Sequence, residues 1–478
     1  MNHRISIDLD RLFDSLLGNE KQFIYDQIGK SLPHTIRFNP LKGKIPALQN
    51  LLEEQGFTFE AIEGFENIFR ILYQPYPIGK SLSHYLGHIY VQDVASMLPP
   101  LVLDPQPGEW ILDMSAAPGS KTTQIAAMMQ NKGVIIANDI VMKRLRALGS
   151  NLERLGVVNT AIFKLFGEQF GTQYFELFDR VLLDPACTGL GTLHKSPEIL
   201  SWWTPRHCER MASGQRNLII SAIKALRPGG VLCYSTCTLT PEENEEVIDF
   251  ALNELPVELE KISLSPLKVR PGLTKYNGKV YDSTLEKTCR VYPFENGTEG
   301  FFIARLRKTG KMNTSKSGPR QKIRPPFLAS KTSPVKKYLD YLSDNFQIQR
   351  DLFSEFVYIL LNNILFYSKE MLDFPFYHRP VQGGLAAGRQ MIQGAKLTTG
   401  GVHLIGDYVQ KNAMELCNLE ELEKFVNREA MNKKVNEKGQ VIVKYKNCNI
   451  GYGLADNSNF KSQFPKGGWP FNLVQKNN

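Results

Sequence analysis

Two cysteines stand where a sulfur nucleophile could be built. Cys187 lies in Asp184-Pro185-Ala186-Cys187-Thr188-Gly189 and Cys237 in Ser235-Thr236-Cys237-Thr238, each directly after an apolar run. The thiolate is the reactive form, and a neighbouring lysine or helix N-terminus lowers the thiol pKa towards it. Buried cysteines more often pack as small apolar groups, and Cys233, inside its run, reads that way. A third loop, Asp113-Met114-Ser115-Ala116-Ala117-Pro118-Gly119-Ser120-Lys121, is made of small residues ahead of a helical segment. Small residues let a ligand approach the backbone, and the helix start offers free N–H groups. The Gly-x-x-x-x-Gly-Lys-Ser/Thr spacing of a phosphate loop is absent, so a nucleoside carrying a carboxylate fits better than a triphosphate. Taken alone, the loop also reads as a plain tight turn. Asp139 ends a further apolar run. An acid there can accept both ribose hydroxyls, and a helix N-cap is the alternative.

These loops need a frame. Residues 110–114, 134–139, 160–164, 180–184 and 231–235 read as strands, with helices over 120–129, 142–155 and 219–226. Arg227-Pro228-Gly229-Gly230 stops the last helix, and residues 299–306 form a late strand. This alternation predicts an α/β fold with a doubly wound, mostly parallel sheet. Ligands bind such sheets at the carboxyl ends of the strands, where all of these loops fall. Upstream, Leu9, Leu12, Phe13, Leu16 and Leu17 give residues 1–30 a helical apolar face. Thr35 to Asn39 is strand-like, Leu48, Leu51 and Leu52 are helical, and His88 to Leu98 reads as a helix ended by Pro99-Pro100. Arg307 to Lys337 holds ten cations and no acid, a basic linker or a solvated loop. Residues 338–478, with Gly-rich turns and a strand at Val441 to Tyr445, suit a small β-rich module.

The chain of 478 residues is long enough for about three domains. A net charge of +9 favours a polyanionic partner. There is no apolar run of membrane-spanning length and no secretion signal, so a cytoplasmic protein without a membrane partner is expected. Seven irregularly spaced cysteines suggest neither a disulfide framework nor a zinc site, and no metal is expected.

Together, Asp113 to Lys121, Asp184 to Gly189, Tyr234 to Thr238 and the following Pro241-Glu242-Glu243-Asn244-Glu245 resemble the RNA cytosine-5 methyltransferases of the Sun/NSUN type. Arg37-Phe38-Asn39 and Gln92-Asp93-Val94-Ala95-Ser96 also resemble that family's sequences. Length, Gly300 to Lys308 and the C-terminal extension resemble the bacterial RsmF type, which modifies a cytosine of 16S ribosomal RNA. The resemblance implies a Rossmann-like class I methyltransferase domain with an N-terminal α+β subdomain and a PUA-like C-terminal module. It implies S-adenosylmethionine as cofactor, held by Ser115, Ala116, Ala117, Pro118, Gly119, Ser120, Lys121 and Asp139, with Arg144 and Asp184 contributing. Cys237 aligns with the nucleophile, Cys187 with the cysteine that assists release, and Asp184 with the acid that hydrogen-bonds the base.

Three positions depart from the family pattern. Asp184-Pro185-Ala186-Cys187 stands for Asp-Ala-Pro-Cys, Phe166-Gly167 occupies the place of an acid facing adenine, and Leu190-Gly191 replaces Glu-Gly. Phenylalanine can stack on adenine but cannot accept its amino group. Both cysteines and Asp184 remain, so catalysis is still expected. The expected organisation is an RNA-contacting subdomain over 1–105, the methyltransferase domain over 106–308, a basic linker over 309–337 and an RNA-binding module over 338–478. The expected partner is ribosomal RNA in a 30S subunit or assembly intermediate, and the expected state is a monomer. A related enzyme acting on tRNA or another ribosomal site, and a catalytically weak RNA-binding assembly factor, are the alternatives.

Overall fold

A computed structural model describes residues 5–265, 267–313, 322–392, 394–431, 438–456 and 459–466. Its centre is a mixed sheet built on five parallel strands: β1 (Trp110–Asp113), β2 (Val134–Asn138), β3 (Thr160–Phe163), β4 (Phe178–Leu183) and β5 (Leu226–Thr236). The order is β3-β2-β1-β4-β5, and β6 (Phe301–Lys308) closes antiparallel on β5. The expected doubly wound sheet is present. Side-chain alternation feeds two cores, as a sheet covered on both faces requires. Leu112, Ile136 and Leu183 face one side with Ile219 and Ile223. Ile111, Ile135 and Leu182 face the other with Leu148 and Leu152. The strand order reverses between β1 and β4, which opens a crevice at their carboxyl ends.

Four helices position the loops around that crevice: α1 (Val94–Leu103), α2 (Ser120–Met128), α3 (Met142–Leu155) and α4 (Pro205–Ala225). Helix α1 corrects the sequence reading. His88 to Leu98 is not one helix: Ile89–Val91 is a strand, Asp93 caps α1, and the helix runs through Pro99 and Pro100 to Leu103. Each proline forfeits one backbone hydrogen bond. Burial of Met97, Leu98, Val102 and Leu103 outweighs that loss. The N-terminal stretch is likewise two helices, Ile7–Leu17 and Lys21–Gln27, split at Gly18 with φ +54°. Arg227 to Gly230 forms a bulge inside β5 between the pairs Phe178–Leu226 and Arg180–Val231.

The C-terminal region holds a five-stranded sheet from Leu328 to Leu397 and a four-stranded sheet from Ala413 to Ser462. It is bound into the rest of the chain. Strand β7 (Gln382–Gly383) pairs with β3 and extends the central sheet, and Phe374 and Phe376 pack in its core. The four-stranded sheet shares an apolar cluster with the N-terminal sheet, where Leu48 and Phe38 meet Phe425 and Val441. Of the basic stretch, 314–321 lie outside the described residues. Lys308 is buried against Glu176, and Arg307 pairs with Glu260, so both belong to the sheet. No helix among the described residues is long and apolar enough to cross a membrane.

Candidate active site

The loop after β1 starts from Asp113, which is buried and accepts from Thr122 Oγ1 at 2.7 Å. Burial pushes its carboxyl up to about 7. Ser115, Ala116 and Ala117 then turn the chain, the Ala117–Pro118 peptide is cis, and Gly119 starts α2 at φ +106°. A Cβ at Gly119 would sit 2.8 Å from Leu148 Cδ1, so the turn needs glycine. Asn138, unremarked in the sequence except as part of a strand, ties this loop to its neighbours. Its backbone carbonyl accepts from Ala116 N at 2.8 Å. Its side chain donates to Met114 O and Leu165 O and accepts from Leu165 N.

Asp139 Oδ1 accepts from Val141 N at 2.9 Å, the local cap. Its Oδ2 pairs with Arg144 Nη1 at 3.1 Å, and Arg144 also donates to Ala117 O. Arg144 therefore bridges the two loops. Ile140 and Phe166, which follow the adjacent strands β2 and β3, are 53% and 66% exposed. Two apolar side chains left open beside a buried acid suit a flat ring joined to a hydroxylated sugar.

On the other side of the crevice, Asp184 accepts from Lys121 Nζ and from Ser235 Oγ, both at 2.7 Å. Lys121 Nζ also donates to Ser96 Oγ at 3.3 Å and lies 5.3 Å from the Phe301 ring centroid. Burial works against the Lys121 charge, but Asp184 and then Cys237 favour it, and its pKa is raised. Cys187 Sγ and Cys237 Sγ are 3.2 Å apart. The Cys187 thiol is pushed well up, first by its hydrogen bond with Cys237 and then by burial and the nearby charges of Cys237, Glu243 and Asp184. Cys233 is buried in β5. All residues singled out in the three loops thus converge on one crevice.

The residues that hold the cysteine loops lie in Pro241 to Glu245, which sequence reasoning noted only as a match. Glu243 is fully buried, and no salt bridge to it forms among the described residues. It accepts from Thr188 N at 3.0 Å, Gln215 Nε2 at 2.9 Å, Thr240 Oγ1 at 3.0 Å and the Thr188 hydroxyl. Asn244 donates to Thr238 O at 3.1 Å and accepts from Thr236 Oγ1. Glu245 pairs with buried Arg290, which donates to Leu239 O at 2.9 Å. Gly191 N donates to Cys237 O, and a Cβ there would lie 2.1 Å from Gly300 O. Glycine is thus required at 191, next to Leu190, which departs from the family pattern.

Arg37 is not on the surface: it is buried, donates to Thr123 Oγ1 at 3.1 Å and supports α2, and burial pulls its pKa down to about 10. Of the adjacent Trp202 and Trp203, Trp203 is buried and Trp202 exposed. Among the described residues there is no group of three or more His, Cys, Asp or Glu placed to hold a metal.

Comparison with known proteins follows the same outline. The family described as 16S rRNA methyltransferase RsmB/F matches residues 100–307. Ribosomal RNA small subunit methyltransferase F of Shewanella piezotolerans is 32% identical over 449 residues, 91% of each chain. The chain belongs to this family. Its Sun/NSUN-type members are RNA (cytosine-5)-methyltransferases, and S-adenosylmethionine is their cofactor. A tRNA (cytosine(49)-C(5))-methyltransferase of Pyrococcus abyssi is 41% identical over 306 residues, 64% of this chain and 97% of the relative. The structure of NSun6 from Pyrococcus horikoshii with SFG, an S-adenosylmethionine analogue, aligns with TM-score 0.57 and 26% identity. It covers 65% of this chain and all of the other. The crevice fits that cofactor: the glycine-started helix, the Asp139 acid and the open Ile140 and Phe166 match its carboxylate, ribose and adenine in kind.

Proposed function

We propose that the chain methylates carbon 5 of one cytosine in 16S ribosomal RNA, with Cys237 as nucleophile. The carrying observation is the cysteine pair, 3.2 Å apart beside the Lys121–Asp184 ion pair. Carbon 5 of cytosine is a weak nucleophile. Bonding of the Cys237 sulfur to carbon 6 breaks aromaticity and moves an electron pair to carbon 5. Lys121, paired with Asp184 at 2.7 Å, supplies a cation beside these sulfurs. Asp184 hydrogen-bonds the base and favours the enamine. S-adenosylmethionine, held by Ser115 to Lys121, Asp139, Arg144 and Asp184, supplies the methyl group that carbon 5 takes. Water then takes the carbon 5 proton, its bonding pair restores the ring double bond, and the sulfur of Cys237 departs as the thiolate. Cys187, held as a thiol, hydrogen-bonds the departing sulfur and assists release. The target base must be turned out of structured RNA to reach these groups.

Ribosomal RNA is favoured over tRNA because the match to the small-subunit enzyme spans 91% of both chains, including most of the C-terminal region. The 41% identity to the tRNA enzyme covers only 64% of this chain and supports tRNA as the second reading. In this reading residues 1–105 and 338–478 contact RNA around the 106–308 core, with 309–337 as connecting segment. The enzyme works in the cytoplasm as a monomer on a 30S subunit or assembly intermediate. A methyl-transfer assay on stripped 30S subunits, 16S RNA and tRNA tests this. Incorporation into 16S RNA as 5-methylcytosine is expected. Transfer to tRNA alone selects the second reading, and no transfer to any substrate leaves an assembly factor.

A further inference from the structure

Cys187 Sγ and Cys237 Sγ lie 3.2 Å apart. A disulfide bond is about 2.0 Å long, so the sulfurs need to close by only about 1.2 Å. The loops that carry them are already joined. Thr188 and Thr238, the residues that follow the two cysteines, share a hydroxyl hydrogen bond of 2.9 Å. Gly191 N donates to Cys237 O at 2.9 Å. Glu243 accepts from Thr188 N and from Thr240 Oγ1, both at 3.0 Å, and so ties one loop to the other. The two backbones are held at a fixed spacing, and the remaining approach falls to the side chains. Both cysteines are partly exposed, whereas Cys208, Cys233, Cys289 and Cys448 are buried. A small oxidant entering the crevice meets this pair ahead of those four.

We infer that Cys187 and Cys237 form a reversible redox switch, which a peroxide closes into a disulfide that removes the nucleophile and stops methyl transfer. The bridge itself stands on the geometry of the pair; its effect on methyl transfer rests on the proposed role of Cys237.

The chemistry takes two steps. The Cys237 thiolate attacks one peroxide oxygen, the O–O bond breaks, and the sulfur becomes a sulfenic acid while hydroxide leaves and is protonated to water. The Cys187 sulfur then attacks the sulfenic sulfur, its thiol proton goes to the departing hydroxide, and a second water forms. Two electrons pass from the sulfurs to the peroxide oxygens. A resolving thiol this close captures the sulfenic acid before it reaches the irreversible sulfinic state. A dithiol reverses the bridge by thiol–disulfide exchange.

The test treats the full chain with hydrogen peroxide in the absence of RNA, alkylates the remaining thiols and maps the peptides by mass. Methyl transfer to RNA is measured in parallel. Wild type should give a linked Cys187–Cys237 peptide pair, lose methyl transfer and regain it with dithiothreitol. Cys417→Ser, which removes the exposed cysteine of the C-terminal region, should behave like wild type. In Cys187→Ala, Cys237 should instead reach the sulfinic acid, which dithiothreitol does not reverse. Cysteines that stay free in wild type, a bridge to Cys417 in their place, or inactivation that dithiothreitol does not reverse would overturn the inference and leave the role of Cys237 intact. A Cys187–Cys237 bridge with methyl transfer unimpaired would overturn both the switch and the assignment of Cys237 as nucleophile.

Discussion

Arg290 and Glu245 form a buried pair, 1% and 0% exposed, under the Cys237 loop. Arg290 Nε donates to Glu245 Oε1 at 2.6 Å, and Nη1 donates to Leu239 O, two residues beyond Cys237. Glu245 Oε1 also accepts from Leu273 N at 3.1 Å. Arg290→Met keeps much of the volume but strands the carboxylate. Removing one partner of a buried pair costs about 3–5 kcal/mol. The orphaned Leu239 carbonyl adds about 1 kcal/mol. In Arg290→Met/Glu245→Leu no charge is stranded. The remaining losses, the partners of Leu239 O and Leu273 N, amount to about 2 kcal/mol. The double variant should therefore be more stable than Arg290→Met by at least about 2 kcal/mol. Urea unfolding of wild type, both single variants and the double variant, followed by tryptophan fluorescence, gives the coupling. Additive costs, with the double variant the least stable, would refute the claim that this pair is a buried, mutually dependent ion pair.

Phe166→Asp supplies an acceptor for an adenine amino group and should tighten S-adenosylmethionine binding by roughly tenfold in calorimetry; weaker binding would show that the exposed ring already stacks better. Gly191→Ala places a Cβ 2.1 Å from Gly300 O and 2.8 Å from Cys237 O, so kcat should fall more than tenfold while calorimetric cofactor binding is kept. Lys42, buried against His403 Nδ1 at 3.0 Å, has its pKa pulled down to about 7 by burial and Arg154. The unfolded chain binds the extra proton between about pH 7 and 10.5, so this lysine costs stability that is regained as pH rises through that window. Lys42→Met should therefore gain stability relative to wild type at pH 7, and the gain should shrink by pH 9.5; a gain independent of pH in urea titrations would contradict this. Truncation after Leu306 removes β7 from the edge of the central sheet and Phe374 and Phe376 from its core. Each aromatic is worth about 1.5–3 kcal/mol, so the fragment should melt well below the full chain by circular dichroism.

The parallel sheet was legible because its strands carry uninterrupted apolar runs that end in loops of small, polar and acidic residues. The convergence of Lys121, Asp184, Cys187 and Cys237 followed from strand order alone. What escaped the sequence depends on tertiary partners. Pro99 and Pro100 signal a helix end locally, and only burial of their neighbours keeps α1 intact. Arg37 looks like a surface charge until α2 covers it. Asn138 and Glu243 act through hydrogen bonds to segments distant in sequence, and no spacing rule marks them. The extension reads as a separate module because its turns are Gly-rich. Its contacts with β3 and with the N-terminal sheet come from residues of no special type.

The central claim, nucleophilic attack by Cys237 with release assisted by Cys187, is tested most directly by trapping. Cys187→Ala, incubated with S-adenosylmethionine and labelled substrate RNA and run on a denaturing gel, should show a covalent protein–RNA band. Peptide mapping should place the link on Cys237, and Cys187→Ala/Cys237→Ala should show no band. Normal turnover by Cys187→Ala without any adduct, or an adduct that survives Cys237→Ala, would contradict the account.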